Sequence, residues 1–105
     1  MNEKATIIEM VLFKTKDGIP PKDAQKKLNE LNGIVSRQDG FIFRRTALSK
    51  DGQYIDLVYW TDLRAAQRAS ENVMNDPKAV AIFSIIDSEQ MIFKHFEVFN
   101  RYQNQ

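Results

Sequence analysis

The residue types best suited to chemistry in this 105-residue chain are a few ionisable and aromatic side chains on its predicted strands. Asp56 and Trp60 are four residues apart, and alternation along a strand places both side chains on one face. His95 is the only histidine, and an imidazole can act as a general base near neutral pH. The sequence therefore nominates Asp56 and His95 as catalytic residues.

Four further residues are predicted to bind a ligand beside this pair: Glu9, Phe43, Arg45 and Trp60. An acid, a base and an aromatic wall in a partly dry cavity would bind a small organic molecule. A structural interpretation is also open, because such charges on one sheet face can form salt bridges between subunits. In the same way, Trp60 suits a packed core, and His95 suits a bond to a carboxylate.

Composition excludes several kinds of site. There are no cysteines, so disulfides, thiol nucleophiles and zinc–thiolate centres are excluded, and a lone histidine without a carboxylate cluster predicts no metal. The four glycines form neither GxGxxG nor a P-loop, and no GxSxG is present, so no cofactor is predicted. A net charge of +1 and the lack of an RNA-binding signature predict no nucleic-acid partner.

The same totals predict where the protein works. No apolar stretch approaches the roughly 18 residues of a membrane span. The start, MNEKATIIEMVLF, lacks a small-residue cleavage site, so no signal peptide is expected. The expectation is one cytoplasmic domain over residues 1–105 with no membrane contact.

Periodicity predicts the elements that position these residues. Strands are predicted over 5–15, 41–49 and 90–100, with another ending at Trp60. A helix follows Pro20–Pro21, and a second, capped by Thr61 or Asp62, ends near 75–77 before a short further turn. This order predicts an α+β, ferredoxin-like βαββαβ fold, with a four-stranded antiparallel sheet and both helices on one face.

The hairpin between the second and third strands sets which residues share a face. A two-residue turn at Asp51–Gly52 is expected. Arg45 then faces Val58, Phe43 faces Trp60 and Ala47 faces Asp56. A one-residue slip would bring Arg44 to that face instead.

Both parities of the strands are apolar, which predicts a partner. The helices are expected to cover one set: Ile8, Met10, Leu12, Leu57, Tyr59, Phe96 and Val98. The opposite face would then carry another: Ile7, Val11, Phe13, Phe43, Val58, Trp60, Phe93 and Phe99. Such a face is too apolar for a soluble monomer. A homodimer that packs sheet against sheet is therefore predicted.

With its elements placed, the chain resembles the antibiotic-biosynthesis-monooxygenase-like branch of the dimeric α/β-barrel superfamily. The residues that carry the resemblance are Glu9–Lys14, Asp39–Phe41, Asp56–Trp60, Ala66 with Ala69, and His95–Val98. The resemblance covers nearly the whole chain. It implies a ferredoxin-like protomer, a homodimer whose sheets form a barrel, and a hydrophobic cavity near the tryptophan strand.

The resemblance also bears on activity. Some members are cofactor-independent oxygenases of aromatic polyketides, in which an asparagine and a tryptophan on this strand help hold the substrate. Asp56 stands in the position of the asparagine, and Trp60 is retained. Haem-degrading members carry a histidine on the following helix, and residues 62–75 contain none, so haem degradation is not expected.

The sequence thus predicts a small dimeric monooxygenase-like protein without a cofactor. Its substrate would be a small aromatic or quinol-type molecule in a cavity near Trp60. The alternative is a non-catalytic dimeric module that binds a small metabolite or serves as a stress-related accessory.

Overall fold

A computed structural model describes residues 5–103 of the chain. The elements follow one another in this order: β1 (Ile7–Phe13), α1 (Pro21–Val35), β2 (Phe41–Leu48), β3 (Tyr54–Trp60), α2 (Leu63–Met74), α3 (Pro77–Phe83) and β4 (Ile92–Glu97). A single 3₁₀ turn, Ser88–Gln90, precedes β4. The signal-peptide expectation rests partly on residues 1–4, which lie outside the described residues.

The strands form one antiparallel sheet in the order β2–β3–β1–β4. The central strands are β1 and β3, and β4 is an edge strand. The predicted α+β, ferredoxin-like arrangement is therefore confirmed. The short turn expected after residue 77 is the seven-residue helix α3, capped by the Asp76 carboxylate, which accepts from the backbone N–H of Lys78 at 2.9 Å.

Small residues let α2 lie close to the sheet. Asp62, one of two predicted caps, accepts a hydrogen bond from the N–H of Ala65 at 2.8 Å. Ala65, Ala66 and Ala69 are buried on the sheet side of the helix. The approach is tightest at Gly40, whose φ of +87° lies in the left-handed region and where an added Cβ would stand 2.5 Å from the Cβ of Ala65.

The helices cover the strand face opposite to the one predicted. Phe13, Val58 and Trp60 are buried beneath them, whereas Ile8 and Leu57 are half-exposed on the other side. Hydrophobicity alone could not decide between two apolar faces. Volume decides, because the alanine-lined surface of α2 leaves room that large side chains such as Trp60 fill.

The two-residue hairpin turn was also a wrong prediction. Ser49 donates its backbone N–H to the carbonyl of Gln53 at 2.8 Å, so three residues, 50–52, form the loop. Gly52 takes the positive φ of +88° that a three-residue loop places at its last position. The ladder therefore pairs Arg44 with Val58 and Arg45 with Leu57, which is the one-residue slip that the sequence left open.

A β-bulge at the start of β2 changes the parity of this strand. Phe41 pairs with Trp60 and Phe43 with Tyr59, so Ile42 is an extra residue between them. Phe41 consequently lies on the helix side, edge-to-face with Trp60 at 6.0 Å. Phe43 lies on the other side, stacked on Tyr59 at 4.1 Å.

The sheet face away from the helices, called the outer face below, has three cross-strand rows. The register defines them as Phe43–Tyr59–Ile8–Phe96, Arg45–Leu57–Met10–Lys94 and Ala47–Ile55–Leu12–Ile92. Every member except the two basic residues is apolar or aromatic. All twelve side chains are at least partly exposed.

Candidate functional site

The carboxylate of Glu9 lies at the centre of a buried polar cluster. Glu9 is 9% exposed and sits on the helix side of β1. Its Oε1 accepts a hydrogen bond from Nε1 of Trp60 at 3.4 Å, and its Oε2 accepts from the hydroxyl of Ser70 on α2 at 3.2 Å. The third partner is His95, whose Nε2 is 2.9 Å from Oε2. These four residues are called the Glu9 cluster below.

His95 connects the Glu9 cluster to solvent. It pairs directly with Glu9 across β1 and β4, and its side chain is 25% exposed. Because a carboxylate oxygen accepts, Nε2 carries the proton when the imidazole is neutral, and Nδ1 then presents a lone pair. Among residues 5–103, no hydrogen-bond partner contacts Nδ1. A histidine oriented by a carboxylate, with its second nitrogen free, has the arrangement of a general base.

Asp56 is held in a separate ion pair. Its Oδ1 and Oδ2 accept from Nε and Nη2 of Arg44 at 2.9 and 2.8 Å. The same guanidinium donates from Nη1 to the carbonyl of Leu28 at 2.9 Å and to the side-chain oxygen of Asn32 at 2.8 Å. Arg44 is 4% exposed and Asp56 13% exposed at the side chain. The pair therefore anchors α1 to the sheet, and both carboxylate oxygens of Asp56 are occupied.

The six residues predicted for the site fall into two groups. Glu9, Asp56, Trp60 and His95 lie on the helix side of the sheet, as the paragraphs above describe. Phe43 and Arg45 lie on the outer face, where the guanidinium carbon of Arg45 is 4.5 Å from the centre of the Phe43 ring. The one-residue change in register separates the groups, because it reverses the face of Arg45.

Two residues of the polar clusters were missing from the predicted site. Arg44 takes the place expected for Arg45, and its only signal in the sequence was the alternative register. Ser70 was not among the predicted site residues. The signal that could have found Ser70 is a hydroxyl flanked by the buried Ala66, Ala69 and Val73, because such a hydroxyl needs a polar partner in the sheet.

The interior beside Trp60 is filled by packing. The residue is 1% exposed. A groove of about 190 Å³ lies instead between α1 and the β2–β3 hairpin, lined by Gln25, Leu28, Asn29, Thr46, Ala47, Leu48 and Tyr54. A second of about 230 Å³ lies between the end of α1 and α2, lined by Arg37, Gln38, Asp39, Arg68, Ala69 and Asn72. Access to the Glu9 cluster is therefore through His95 at the β4 edge.

The described part of the chain has neither a cluster of metal ligands nor a membrane-spanning helix. Within residues 5–103, no group of three or more His, Asp or Glu side chains is placed to hold a metal ion. Over the same range, no helix has both the length and the apolar character needed to cross a membrane.

Solved structures share this fold. A variant of SnoaB, a cofactor-independent oxygenase from Streptomyces nogalater, is 18% identical and superposes with a TM-score of 0.78 over 95% of this chain and 99% of that one. The protein NE2512 of Nitrosomonas europaea, of unknown function, is 11% identical, with a TM-score of 0.73 and 99% of each chain covered. A MhuD variant with two manganese protoporphyrin IX molecules bound per active site is 14% identical, with a TM-score of 0.68 over 93% and 99% of the chains.

These likenesses confirm the ferredoxin-like α+β fold that the sequence resemblance implied. At such identities they show the fold alone. No protein-family model matches the sequence, and no curated protein matches it.

Proposed function

We propose that this protein is a cofactor-independent monooxygenase in which His95, oriented by Glu9, is the general base. The observation that carries the proposal is the 2.9 Å contact between Nε2 of His95 and Glu9, with Nδ1 unpartnered among the described residues. Support from the fold comes from its likeness to SnoaB, a cofactor-independent oxygenase. The substrate class is a small hydroxylated aromatic molecule with an acidic CH₂ group that is activated by a carbonyl across the ring.

The chemistry needs only a base and dioxygen. Nδ1 of His95 removes a proton from the substrate carbon, and the Glu9 carboxylate stabilises the resulting imidazolium. The electron-rich carbanion passes one electron to dioxygen, and the two radicals combine to form a carbon–oxygen bond. The imidazolium returns its proton to give a hydroperoxide, which loses water and leaves a carbonyl. One oxygen atom ends in the product and one in water, and the substrate supplies the electrons.

Other residues of the cluster have positioning roles in this proposal. Trp60 and Ser70 donate to the two oxygens of Glu9, so they fix the carboxylate that orients the imidazole. Asp56 is not the base, because Arg44 engages both of its oxygens. Phe43 and Arg45 take no part in the site of their own protomer.

Oxygen uptake in the presence of hydroxylated anthrones tests the base. Glu9→Gln keeps the shape of the side chain and removes its charge, and we expect uptake to fall by a factor of about 10² or more. Oxygen uptake by the His95→Asn variant should fall by the same factor. Glu97→Gln is the matched control, because Glu97 is an exposed carboxylate on the same strand. Trp60 fluorescence verifies that each variant is folded.

A second function is favoured by the pairing of the buried carboxylates. Glu9 has three partners and Asp56 is held at both oxygens, as expected of a non-catalytic dimeric module that binds a small metabolite. The two functions differ in the same assay. Wild-type protein that binds the anthrone but consumes no oxygen would refute the monooxygenase and leave the binding module. Glu9→Gln and His95→Asn variants that consume oxygen as fast as the wild type would refute the assignment of the base.

We propose that the protein forms a homodimer through its outer face. Twelve positions spaced by the strand separation and the side-chain repeat make a flat area of about 400 Å², which is the size of the largest apolar patch on a typical monomer, and such a patch is often functional. A second copy covers it with an identical apolar surface. Sedimentation velocity should show a dimer for wild type and for the helix-surface control Gln67→Lys, but a monomer for Leu57→Lys at the centre of the face. A monomeric wild-type protein at micromolar concentration would refute the dimer.

A further inference from the structure

The outer face carries a positive charge at each of its two edges. Its middle row runs from Arg45 on β2 through Leu57 and Met10 to Lys94 on β4. Because β2 and β4 are the edge strands, one cation stands at each side with apolar residues between. Both cations are exposed, and neither forms a salt bridge within residues 5–103.

Among the described strand residues, no carboxylate on the outer face can neutralise these cations. The acidic residues of the strands, Glu9, Asp56 and Glu97, have the opposite parity and lie on the helix side. Glu9 and Asp56 are in addition occupied by His95 and Arg44. Within the described strands, the outer face is therefore apolar with a cation at each edge.

Aromatic packing holds the Arg45 charge at its edge. The guanidinium lies over the Phe43 ring at 4.5 Å, and that ring stacks on Tyr59. A hydrogen bond from Nη1 of Arg45 to the carbonyl of Arg44, at 3.0 Å, limits the movement of the guanidinium further. An arginine held in this way presents its remaining donors in a fixed fork, which suits oxyanions.

A twofold dimer brings like charges together. When two sheets pack with their strands aligned, the axis lies between them, either along the strands or across them. With the first axis Arg45 faces the Lys94 side chain of the second copy, and with the second axis each residue faces its own equivalent. In this aligned packing, the facing charged pairs are therefore basic with basic, at both edges of the sandwich.

We propose that each edge of the homodimer binds a small multivalent oxyanion, of the phosphate or sulfate type, between cations of the two copies. This inference rests on the proposed homodimer and extends it by a ligand and a role for Arg45 and Lys94. The anion converts two repelling pairs into two bridged ones. Oxyanions thus tighten the dimer, and chloride alone leaves it weaker.

Sedimentation equilibrium with and without millimolar tripolyphosphate, at matched ionic strength, tests the proposal. Two like charges roughly 6 Å apart in water repel by an amount that, over two edges, weakens the dimer about tenfold. Tripolyphosphate should therefore lower the dimer Kd of the wild type by about tenfold. Arg45→Gln/Lys94→Gln should already dimerise about tenfold more tightly in chloride and gain nothing from the anion.

The control variant is Arg37→Gln/Arg68→Gln, which removes two cations from the groove between α1 and α2. It should respond to tripolyphosphate like the wild type, and calorimetry should count two anions per dimer for both proteins. A wild-type dimer indifferent to the anion, or a response lost in the control variant instead, overturns the anion site while the dimer stands. A wild type that stays monomeric in every buffer refutes the dimer itself.

Discussion

Exchanging either of two adjacent arginines for methionine should have very unequal effects on stability, because Arg44 and Arg45 lie on different faces of the sheet. Arg44→Met keeps a long side chain under α1 but leaves the Asp56 carboxylate, which is 13% exposed, without its positive partner. Breaking a buried pair from one side costs about 3–5 kcal/mol. The partial exposure of Asp56 places the expected loss near the lower end, at about 3 kcal/mol.

Urea unfolding followed by Trp60 fluorescence measures this loss. With an m value of about 1.5 kcal/mol per M for a chain of this size, the midpoint of Arg44→Met should fall by about 2 M. Arg45→Met is the matched control, and at a fixed protomer concentration its stability should change by about 0.5 kcal/mol or less. The double variant Arg44→Met/Asp56→Leu should regain most of the loss, since no charge is stranded.

Equal losses for the two single variants, or a larger loss for Arg45→Met, would refute the register. The two-residue hairpin turn would then be correct, and Arg45 would be the residue beneath the helix. A double variant as unstable as Arg44→Met would instead mean that the bonds from Arg44 to α1, rather than the ion pair, carry the stabilisation.

Three other substitutions test local conformation. Gly40→Ala should lower the free energy of unfolding by about 3 kcal/mol in urea, because the strain of a positive φ and the collision with α2 add together. Gly52→Ala, which has a positive φ but open space around it, should lower it by about 1 kcal/mol. Similar losses for the two variants would contradict the close approach of α2. The hydrogen bond from the Ser49 hydroxyl lowers the pKa of the exposed Asp51 carboxyl. A carboxyl with a lowered folded pKa stabilises the fold above its unfolded pKa, and this stabilisation is lost as the pH falls through the folded pKa. Ser49→Ala should therefore raise the pKa of Asp51 toward its ordinary value in an NMR titration, and an unmoved pKa would exclude the hydroxyl as its cause.

The order of elements could be read from the sequence because each carries a local signal. Alternating β-branched and aromatic residues marked the strands, and Pro21, Asp62 and Asp76 marked the helix starts. The choice of sheet face carried no such signal, since both parities of β1 and β3 are apolar. It depends on the fit of Trp60 beneath the alanines of α2, which is a property of the packed interior.

The hairpin register was ambiguous for a conformational reason. Asp51–Gly52 fits a two-residue turn, which requires positive φ at both positions, and a three-residue loop, which requires it at Gly52 alone. The chain adopts the second, and within residues 5–103 no non-glycine residue has a positive φ. The three-residue loop avoids the strain of a positive φ at Asp51. This loop sets the faces of Arg44 and Arg45.

The composition of the Glu9 cluster depends on contacts between distant segments. Ser70 is 61 residues from Glu9 and His95 is 86 residues away, so periodicity within one element could not join them. Four of the six nominated residues nevertheless lie on one side of the sheet. The ion pair between Asp56 and Arg44 could be predicted only from the correct register, because that register places Arg44 on the face of Asp56.

The bulge in β2 makes one residue of the sheet dispensable for strand pairing. Ile42 is the extra residue between the Phe41–Trp60 and Phe43–Tyr59 pairs, so its deletion would leave both pairs and all later ones in place. Insertion or loss of a residue in β2 between Arg45 and the 50–52 loop has the contrary effect, since it would exchange the roles of Arg44 and Arg45. Length variation among proteins with this architecture should therefore be tolerated at the bulge and penalised in the part of β2 that leads to the hairpin.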